Sequence, residues 1–140
     1  MEYGKLKLGK YNIDPTTRVD MLGGEEFNAI KVEKGMVLIS KTPLDLYDSR
    51  FWINVYFDET SIIRKIELKN ADKKFEMNYH TMDCAILENL RKENDEFLLN
   101  NLGSSYKENI SGRKYEYSWE SIMSYFDLKS AEAGIVIRHL

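Results

Sequence analysis

The sequence predicts an α+β fold: a mostly antiparallel, meandering sheet with one long helix packed on one face. Two patterns predict it. Apolar residues alternate along several short segments, and their spacing changes to the period of a helix over residues 78–102. The chain has 140 residues, 43% of them hydrophobic, and lacks a linker rich in Gly, Ser or Pro. We therefore expect residues 1–140 to form a single α+β domain with roughly six to eight strands.

The first elements are a short helix and a hairpin. Asp14 is a good N-cap residue and precedes a proline suited to a first helical turn, which predicts a turn of helix over Thr16–Leu22. Two short strands should follow, at Phe27–Val32 and Met36–Ser40. Glycine and charged residues between these strands favour a tight hairpin turn.

The strongest strand pattern covers Phe51–Phe57. Its odd-numbered residues are all apolar, whereas Trp52, Asn54 and Tyr56 alternate with them, so the odd side should enter the core. A loop is predicted before it, at Asp45–Ser49. A second hairpin should lead through a polar turn into a strand at Ile62–Leu68.

The helix predicted between about Asn78 and Leu102 has one apolar stripe and one polar side. Gly103 is placed to end it. The polar side is interpreted as a solvated face. The stripe consists of Met82, Ile86, Leu90, Phe97, Leu98, Asn101 and Leu102, and the polar side of Arg91, Lys92, Glu93, Asp95 and Glu96.

The last third of the chain returns to strand patterns. We expect strands at Ser105–Ile110, Lys114–Phe126 and Gly134–Leu140, the last of them packed between neighbours because it is rich in β-branched residues. If the long middle segment keeps its register, its odd-numbered residues share a face, although Ser121 could mark a break. Those residues are Tyr115, Tyr117, Trp119, Met123 and Tyr125.

Charge and cysteine content exclude several function classes. The formal net charge is −3, so there is no basic surface to neutralise a nucleic-acid backbone. The single cysteine cannot form an internal disulfide and suits a reducing compartment. Because no apolar run is long enough for a signal peptide or a membrane span, we expect a cytoplasmic protein that binds neither nucleic acid nor membrane.

Residues able to perform chemistry are few. His80 and Cys84 lie four residues apart at the predicted helix start, where a histidine could activate a thiol, but no third group that would orient the imidazole is identifiable. A packing role for the cysteine is the simpler interpretation. Two histidines and one cysteine are too few for a zinc site, and His139 is far away in sequence. We therefore expect no catalytic residue, no metal and no cofactor.

The aromatic residues are the feature most suggestive of function. One helix cannot cover both predicted aromatic stripes, so one aromatic face should remain open to a partner. We expect a non-enzymatic protein-binding module whose contacts include Trp52, Tyr56, Asp58 and Glu59, and whose acidic residues suit a basic protein partner. A second copy of the chain is another candidate partner.

The alternative to a binding module is a small-ligand carrier. In that hypothesis a curved sheet wraps the helix and encloses an apolar pocket lined by Trp119, Tyr117 and Phe57. An enzyme that uses His80 is a third hypothesis.

The segment from Tyr115 to His139, YEYSWESIMSYFDLKSAEAGIVIRH, follows a predicted helix that ends at Asn101-Leu102-Gly103. This layout resembles that of small uncharacterised bacterial α+β proteins, some of which are immunity partners of secreted toxins. The resemblance covers about a third of the chain and implies binding rather than catalysis. It implies an immunity or inhibitor protein as the type of binding module, and it transfers no site residue.

Overall fold

The fold was analysed in a computed structural model, which describes residues 6–8, 11–14, 16–22, 26–47, 49–71, 84–110, 112–117, 120–127 and 132–139. The strands are β1 (Leu6–Leu8), β2 (Tyr11–Ile13), β3 (Phe27–Val32), β4 (Gly35–Ser40), β5 (Leu44–Leu46), β6 (Ser49–Asp58), β7 (Ile63–Asn70), β8 (Lys107–Asn109), β9 (Gly112–Glu116), β10 (Glu120–Asp127) and β11 (Glu132–His139). Helix α1 covers Cys84–Leu102, and a 3-10 turn covers Val19–Met21.

Strands β3 to β11 form one antiparallel sheet in the order β3-β4-β6-β7-β11-β10-β9-β8, and β5 pairs with β6 beside β4. Strands β1 and β2 form a separate antiparallel hairpin. The predicted fold class, an α+β fold with one helix and an antiparallel sheet, is confirmed. The sheet has nine strands, more than the predicted six to eight. One additional strand is β5, which lies where a loop was predicted, and another arises because the predicted strand at Lys114–Phe126 is divided in two.

The predicted loop at Asp45–Ser49 is wrong at both of its ends. Leu44–Leu46 forms β5, and Ser49 already belongs to β6. Tyr47 has a left-handed backbone with φ of 58°, which lets the chain reverse at once and pair Leu44 with Phe51. Because Leu44 and Leu46 are buried, the short strand is held by its apolar contacts.

The predicted strand at Lys114–Phe126 is divided into β9 and β10. The backbone N–H of Tyr117 donates to the carbonyl of Glu120 over 2.9 Å, which closes a turn between the two strands. The segment therefore does not stay in register, and its odd-numbered residues do not share one face. Tyr115 is fully buried and pairs with Ile122, whereas Tyr125 lies on the opposite face. Trp119 lies outside the described residues.

Towards the N-terminus, the predicted helical turn at Thr16–Leu22 is reduced to the 3-10 turn at Val19–Met21. Before it, a carboxylate oxygen of Asp14 accepts from the backbone N–H of Thr16 over 2.8 Å. The backbone N–H of Thr17 donates to the Asp14 carbonyl over 3.0 Å. These bonds close a compact turn rather than a regular helix.

The core lies on one face of the sheet, beneath helix α1 and the N-terminal residues Ile13 and Leu22. Register places Ile53 opposite Leu68 and Leu68 opposite Ile135, so one apolar face continues across β6, β7 and β11. Phe97 of the helix contacts Phe51 edge-on, with ring centroids 5.0 Å apart. The apolar side chains of the core that are fully or nearly fully buried are Ile13, Leu46, Phe51, Ile53, Val55, Ile63, Ile66, Leu68, Leu98, Tyr115, Ile122, Ile135 and Ile137.

The structure confirms the predicted end of helix α1 and corrects the predicted position of one residue on its polar side. Gly103 adopts φ of 84°, and its N–H donates to the Leu99 carbonyl over 2.9 Å. The Tyr115 hydroxyl donates to the Gly103 carbonyl over 2.8 Å, which ties the helix end to the sheet. Asp95, predicted on the solvated side, is buried against the sheet together with Asn94. The predicted helix start at Asn78 lies outside the described residues.

The last described strand, β11, lies between β7 and β10 and pairs with both. The prediction that this strand packs between neighbours is confirmed. The Ile135 and Ile137 side chains are buried as a result. No helix among the described residues combines the length and apolarity needed to cross a bilayer.

Candidate protein-binding surface

The sheet face opposite helix α1, called the open face, carries the even-numbered side chains of β3 and β6. Register aligns them in rows across the strands. In one row Val37 lies between Ile30 and Tyr56, and its side chain is buried by these two neighbours. In the next row Ile39 lies between Asn28 and Asn54. The open face is therefore apolar towards β3 and β4 and more polar from β6 onward.

Trp52 is the most prominent side chain of the open face. It is 46% exposed although it lies within a ten-residue strand, at the point where β6 passes from its pairing with β5 to its pairing with β4. Its cross-strand neighbour on β7 is the exposed Lys69. Tryptophan is enriched in protein contact surfaces and lysine is depleted there, so the indole is the side chain that points to a contact.

Tyr56, Lys65 and Glu67 form a polar cluster on the same face as Trp52, and Asn54 lies between Trp52 and Tyr56 along β6. The Tyr56 hydroxyl donates to Glu67 Oε2 over 3.3 Å, and Lys65 Nζ lies 3.1 Å from Glu67 Oε1. The same ammonium lies 4.3 Å from the centroid of the Tyr56 ring. Partial burial, followed by the negative charge of Glu67, raises the pKa of Tyr56. The phenol is thus held neutral and fixed in orientation.

Tyr125 continues this cluster from β10. A Cβ atom on Gly134, its neighbour in register, would lie 2.8 Å from the Tyr125 hydroxyl, so the ring lies flat over the glycine. Burial raises the pKa of Tyr125 to about 12, and the charges of Glu132 and Glu67 add to the effect. The open face thus has a second tyrosine fixed against the sheet.

The acidic residues predicted as contacts lie at the end of β6. One carboxylate oxygen of Asp58 accepts from the backbone N–H groups of Thr60 and Ile62, over 2.9 and 3.1 Å. The other accepts from Arg64 Nε over 2.8 Å. The hydrogen bond from the Thr60 hydroxyl is the largest of several that hold the pKa of Asp58 well below its usual range. This carboxylate is therefore occupied in closing the turn, whereas Glu59 is exposed beside it.

The structure brings Trp52 and Tyr56 together on the open face and leaves Asp58 and Glu59 at its end. Two further residues of this surface, Glu67 and Tyr125, were not predicted. The alternation of Lys65, Glu67 and Lys69 along β7 was the available signal for the polar side of that strand. The position of Tyr125 could not be predicted, because the turn between Tyr117 and Glu120 puts the odd-numbered residues of β10 on the opposite face from those of β9.

The residues of the carrier hypothesis do not meet around a described pocket. Phe57 is buried in the main core and Tyr117 packs against that core, while Trp119 lies outside the described residues. A cleft of about 430 Å³ occurs elsewhere, between the helix and the ends of β6 and β7. It is lined by polar side chains together with Phe97 and Ala71, and the polar ones are Ser49, Arg50, Asn70, Glu93, Glu96 and Asn100.

The burial of several polar groups on the covered side of the sheet was also not predicted from the sequence. Asp95 Oδ2 lies 3.7 Å from Arg113 Nε and 3.9 Å from Arg91 Nε, which are long ion pairs. At the first residue of β10, Glu120 Oε2 lies 3.3 Å from His139 Nε2, and both side chains are nearly buried. The Asp95 to Arg113 and Glu120 to His139 contacts join neighbouring elements, and the Arg91 to Asp95 contact lies within the helix, so we assign all three to the scaffold.

The residues proposed for chemistry cannot be placed in a site. His80 lies outside the described residues, and only the backbone of Cys84 is described, as the first residue of α1. Among the described residues, no three His, Cys, Asp or Glu side chains converge as metal ligands. No family model, no curated protein and no solved structure matches this chain.

Proposed function

We propose that this chain is a protein-binding module, of the type represented by immunity and inhibitor proteins, and that its contact surface is the open face. The observation that carries the proposal is Trp52, which is 46% exposed on a sheet face that the helix does not cover. Exposing an indole in a regular strand forgoes the burial that stabilises a fold. Such a residue gains most of its value when a partner covers it.

The surroundings of Trp52 support the same proposal. The hydrogen bond and ion pair that Glu67 makes fix Tyr56 and Lys65 in place, so little side-chain freedom is lost on binding. Tyrosine and tryptophan side chains exposed on one sheet face are a composition enriched in protein contact surfaces. Lys69, exposed beside the indole, would add a charged margin.

The basic character first expected of the partner depended on Asp58 and Glu59. Because the Asp58 carboxylate is occupied by its own turn, Glu59 is the acid left to attract a basic group. The open face itself has cations beside Trp52 and Tyr56. We therefore place the binding energy in the aromatic contact and assign charge to the choice of partner.

The proposal is tested by affinity capture from cells that naturally produce the chain, using the wild-type protein and two variants. Trp52→Ala removes the proposed anchor, while Leu99→Ala removes a comparably exposed apolar side chain from the helix. We expect one protein to be enriched by the wild type and by Leu99→Ala, and lost with Trp52→Ala. With that protein purified, calorimetry should show Trp52→Ala weakening the affinity by about 30-fold or more.

Two results would refute this assignment. One is a purified partner whose affinity is the same for Trp52→Ala and the wild type. The other is an affinity that falls with Leu99→Ala alone, because the contact surface would then include the helix. A Glu59→Lys variant measures the charge contribution, since a basic partner should bind it more weakly and a partner that contacts only the aromatic residues should not.

A further inference from the structure

The two outer strands of the sheet differ in how they are protected. Strand β8 has three residues, and its charged side chains are paired: Glu108 Oε1 lies 2.9 Å from Arg113 Nε, and Lys107 Nζ lies 3.8 Å from Glu116 Oε2. Strand β3 has six residues and one charge, and Ile30 and Val32 are 48% and 41% exposed. Short, charged edges prevent strand addition, whereas long apolar edges permit it.

The outer edge of β3 offers backbone hydrogen-bonding groups. The Lys41 N–H donates to the Glu26 carbonyl over 2.9 Å, so the even-numbered residues of β3 direct their backbone groups towards β4. The odd-numbered residues, among them Ala29 and Lys31, direct theirs outward. No strand among the described residues pairs with that side, and the side chains from Asn28 to Val32 are all exposed.

We propose that β3 is the dimerisation strand of this protein: it pairs antiparallel with β3 of a second copy, about a two-fold axis at Ile30. Ala29 and Lys31 of one copy then exchange backbone hydrogen bonds with Lys31 and Ala29 of the other, four bonds in all. The two Ile30 side chains face each other on the open face in the closely spaced, non-hydrogen-bonded pair, whose Cα atoms lie about 4.5 Å apart.

The side chains of β3 favour this register over its neighbours. An axis at Lys31 would place two like charges directly opposite each other, which destabilises a strand pair. An axis at Ala29 would set each Ile30 against Asn28 of the other copy and lose the apolar contact. With the axis at Ile30, Lys31 faces the small Ala29 and Val32 faces Asn28, so no like charges meet across the pair.

A second copy fits this edge better than a separate partner because the strand complements itself. An isologous contact needs one patch that matches itself, and β3 has an apolar centre with polar neighbours on both sides. The pairing also leaves Trp52 uncovered, so the dimer would present two open faces on one continuous sheet. The inference does not depend on the proposed function, because it concerns the edge and not the face.

The proposal is tested by sedimentation equilibrium of the purified full chain over a wide concentration range. We expect a monomer–dimer equilibrium for the wild type. Ile30→Lys should weaken the dimer by about a hundredfold or more, because two ammonium groups then oppose each other. Ile30→Glu should do the same, while an equimolar mixture of the two variants should associate again, since unlike charges then meet across the axis.

Controls separate the edge from the rest of the molecule. Leu99→Lys adds the same charge to the outer side of the helix, and this variant should dimerise like the wild type. Circular dichroism verifies that each variant folds, which is expected since Ile30 is 48% exposed. Trp52→Ala should also dimerise normally, so that failure of the dimer and failure of the proposed contact surface are distinguishable.

Four outcomes would overturn the inference, and the first three are a wild-type chain that stays monomeric throughout, an Ile30→Lys variant that still dimerises, and a mixture of Ile30→Lys and Ile30→Glu that does not reassociate. The third would mean that the two Ile30 residues are not opposite each other. Loss of the dimer in Trp52→Ala would likewise move the contact from the edge to the open face.

Discussion

The two faces of the sheet are built from the same strands but differ sharply in burial. On the face under the helix, Phe51, Ile53 and Val55 are completely buried. On the other face of the same strand, Trp52 is 46% exposed and Tyr56 is partly exposed. Successive side chains of a strand point to opposite sides, so one segment can contribute to the core and to a contact surface together.

The difference between the faces lies in how their polar groups are held. Under the helix, the nearly buried Asp95 forms only long ion pairs, such as that with Arg113, at 3.7 Å. On the open face, the shorter contacts of Glu67 with Tyr56 and Lys65 remain partly solvated. The covered face thus gains its stability from packing, and the open face is ordered by polar contacts that stabilise little but fix orientation.

The sharpest test of this comparison is a pair of adjacent leucines in helix α1. Leu98 is fully buried, whereas Leu99 is 39% exposed on the outer side. Leu98→Ala should lower the free energy of unfolding by about 2–5 kcal/mol, because it removes buried surface and leaves a cavity. Leu99→Ala should change it by less than about 0.5 kcal/mol. Urea unfolding followed by circular dichroism measures both.

The leucine pair also serves as its own control, since both variants make the same chemical change one residue apart. Equal losses for Leu98→Ala and Leu99→Ala would mean that the helix does not pack by the face described. A large loss for Leu99→Ala alone would require the helix to be rotated on the sheet. Either result would remove the distinction between a covered and an open face.

A smaller effect is expected from the polar contact at the edge of the covered face. Glu120→Ala removes the carboxylate that lies 3.3 Å from His139 Nε2 and leaves the nearly buried imidazole without this partner. We expect a loss of about 1–3 kcal/mol, the cost of an unsatisfied buried polar group. Unfolding of Glu120→Ala, His139→Ala and the double variant gives the coupling energy of the pair.

Glu116→Ala is the matched control for Glu120→Ala. Its carboxylate is about half exposed and lies 3.3 Å from Lys114 Nζ, so its removal should change stability by less than about 0.5 kcal/mol. Additive effects of Glu120→Ala and His139→Ala would show that the pair contributes nothing beyond its separate residues. The contact could then no longer be counted among those that hold β10 to β11.

Local patterns were enough to predict most of the scaffold. The alternation in Phe51–Phe57 is confirmed because all its odd residues are apolar, and each strand residue faces only one of two sides. The helix end at Gly103 is confirmed because a left-handed backbone there suits glycine. These features depend on neighbours in sequence, which is the information that a single chain provides.

Features that depend on contacts between residues far apart in the sequence were not predicted. Asp95 resembles a surface residue by composition, and its burial depends on packing against the sheet, where Arg113, eighteen positions later in the chain, lies 3.7 Å away. Tyr125 was assigned to the same side as Tyr115 because the turn that closes with Tyr117 N–H to Glu120 carbonyl has no strong sequence signal. Of the contact surface, Trp52 and Tyr56 could be predicted to share a face, but the contacts of Glu67 could not.

The smallest predicted effect concerns the tyrosine that lies on the open face over Gly134. Gly134→Ala places a Cβ atom 2.8 Å from the Tyr125 hydroxyl, so the ring must turn away from the sheet at a cost of about 1 kcal/mol. Burial raises the pKa of Tyr125 to about 12. The displaced phenol is solvated, so its pKa should fall towards the ordinary value of about 10.

The sign of the pH effect follows from this shift. A raised pKa favours the neutral phenol in the folded chain, so its stabilisation is complete below about pH 10 and is lost as the pH rises to about 12. Gly134→Ala should abolish that alkaline loss. Tyrosinate absorbance, taken as the difference between each protein and its Tyr125→Phe counterpart, isolates this phenol from the other tyrosines. An unchanged difference titration in Gly134→Ala would mean that the ring does not lie over the glycine, and that this end of the open face is less ordered than Tyr56 and Glu67.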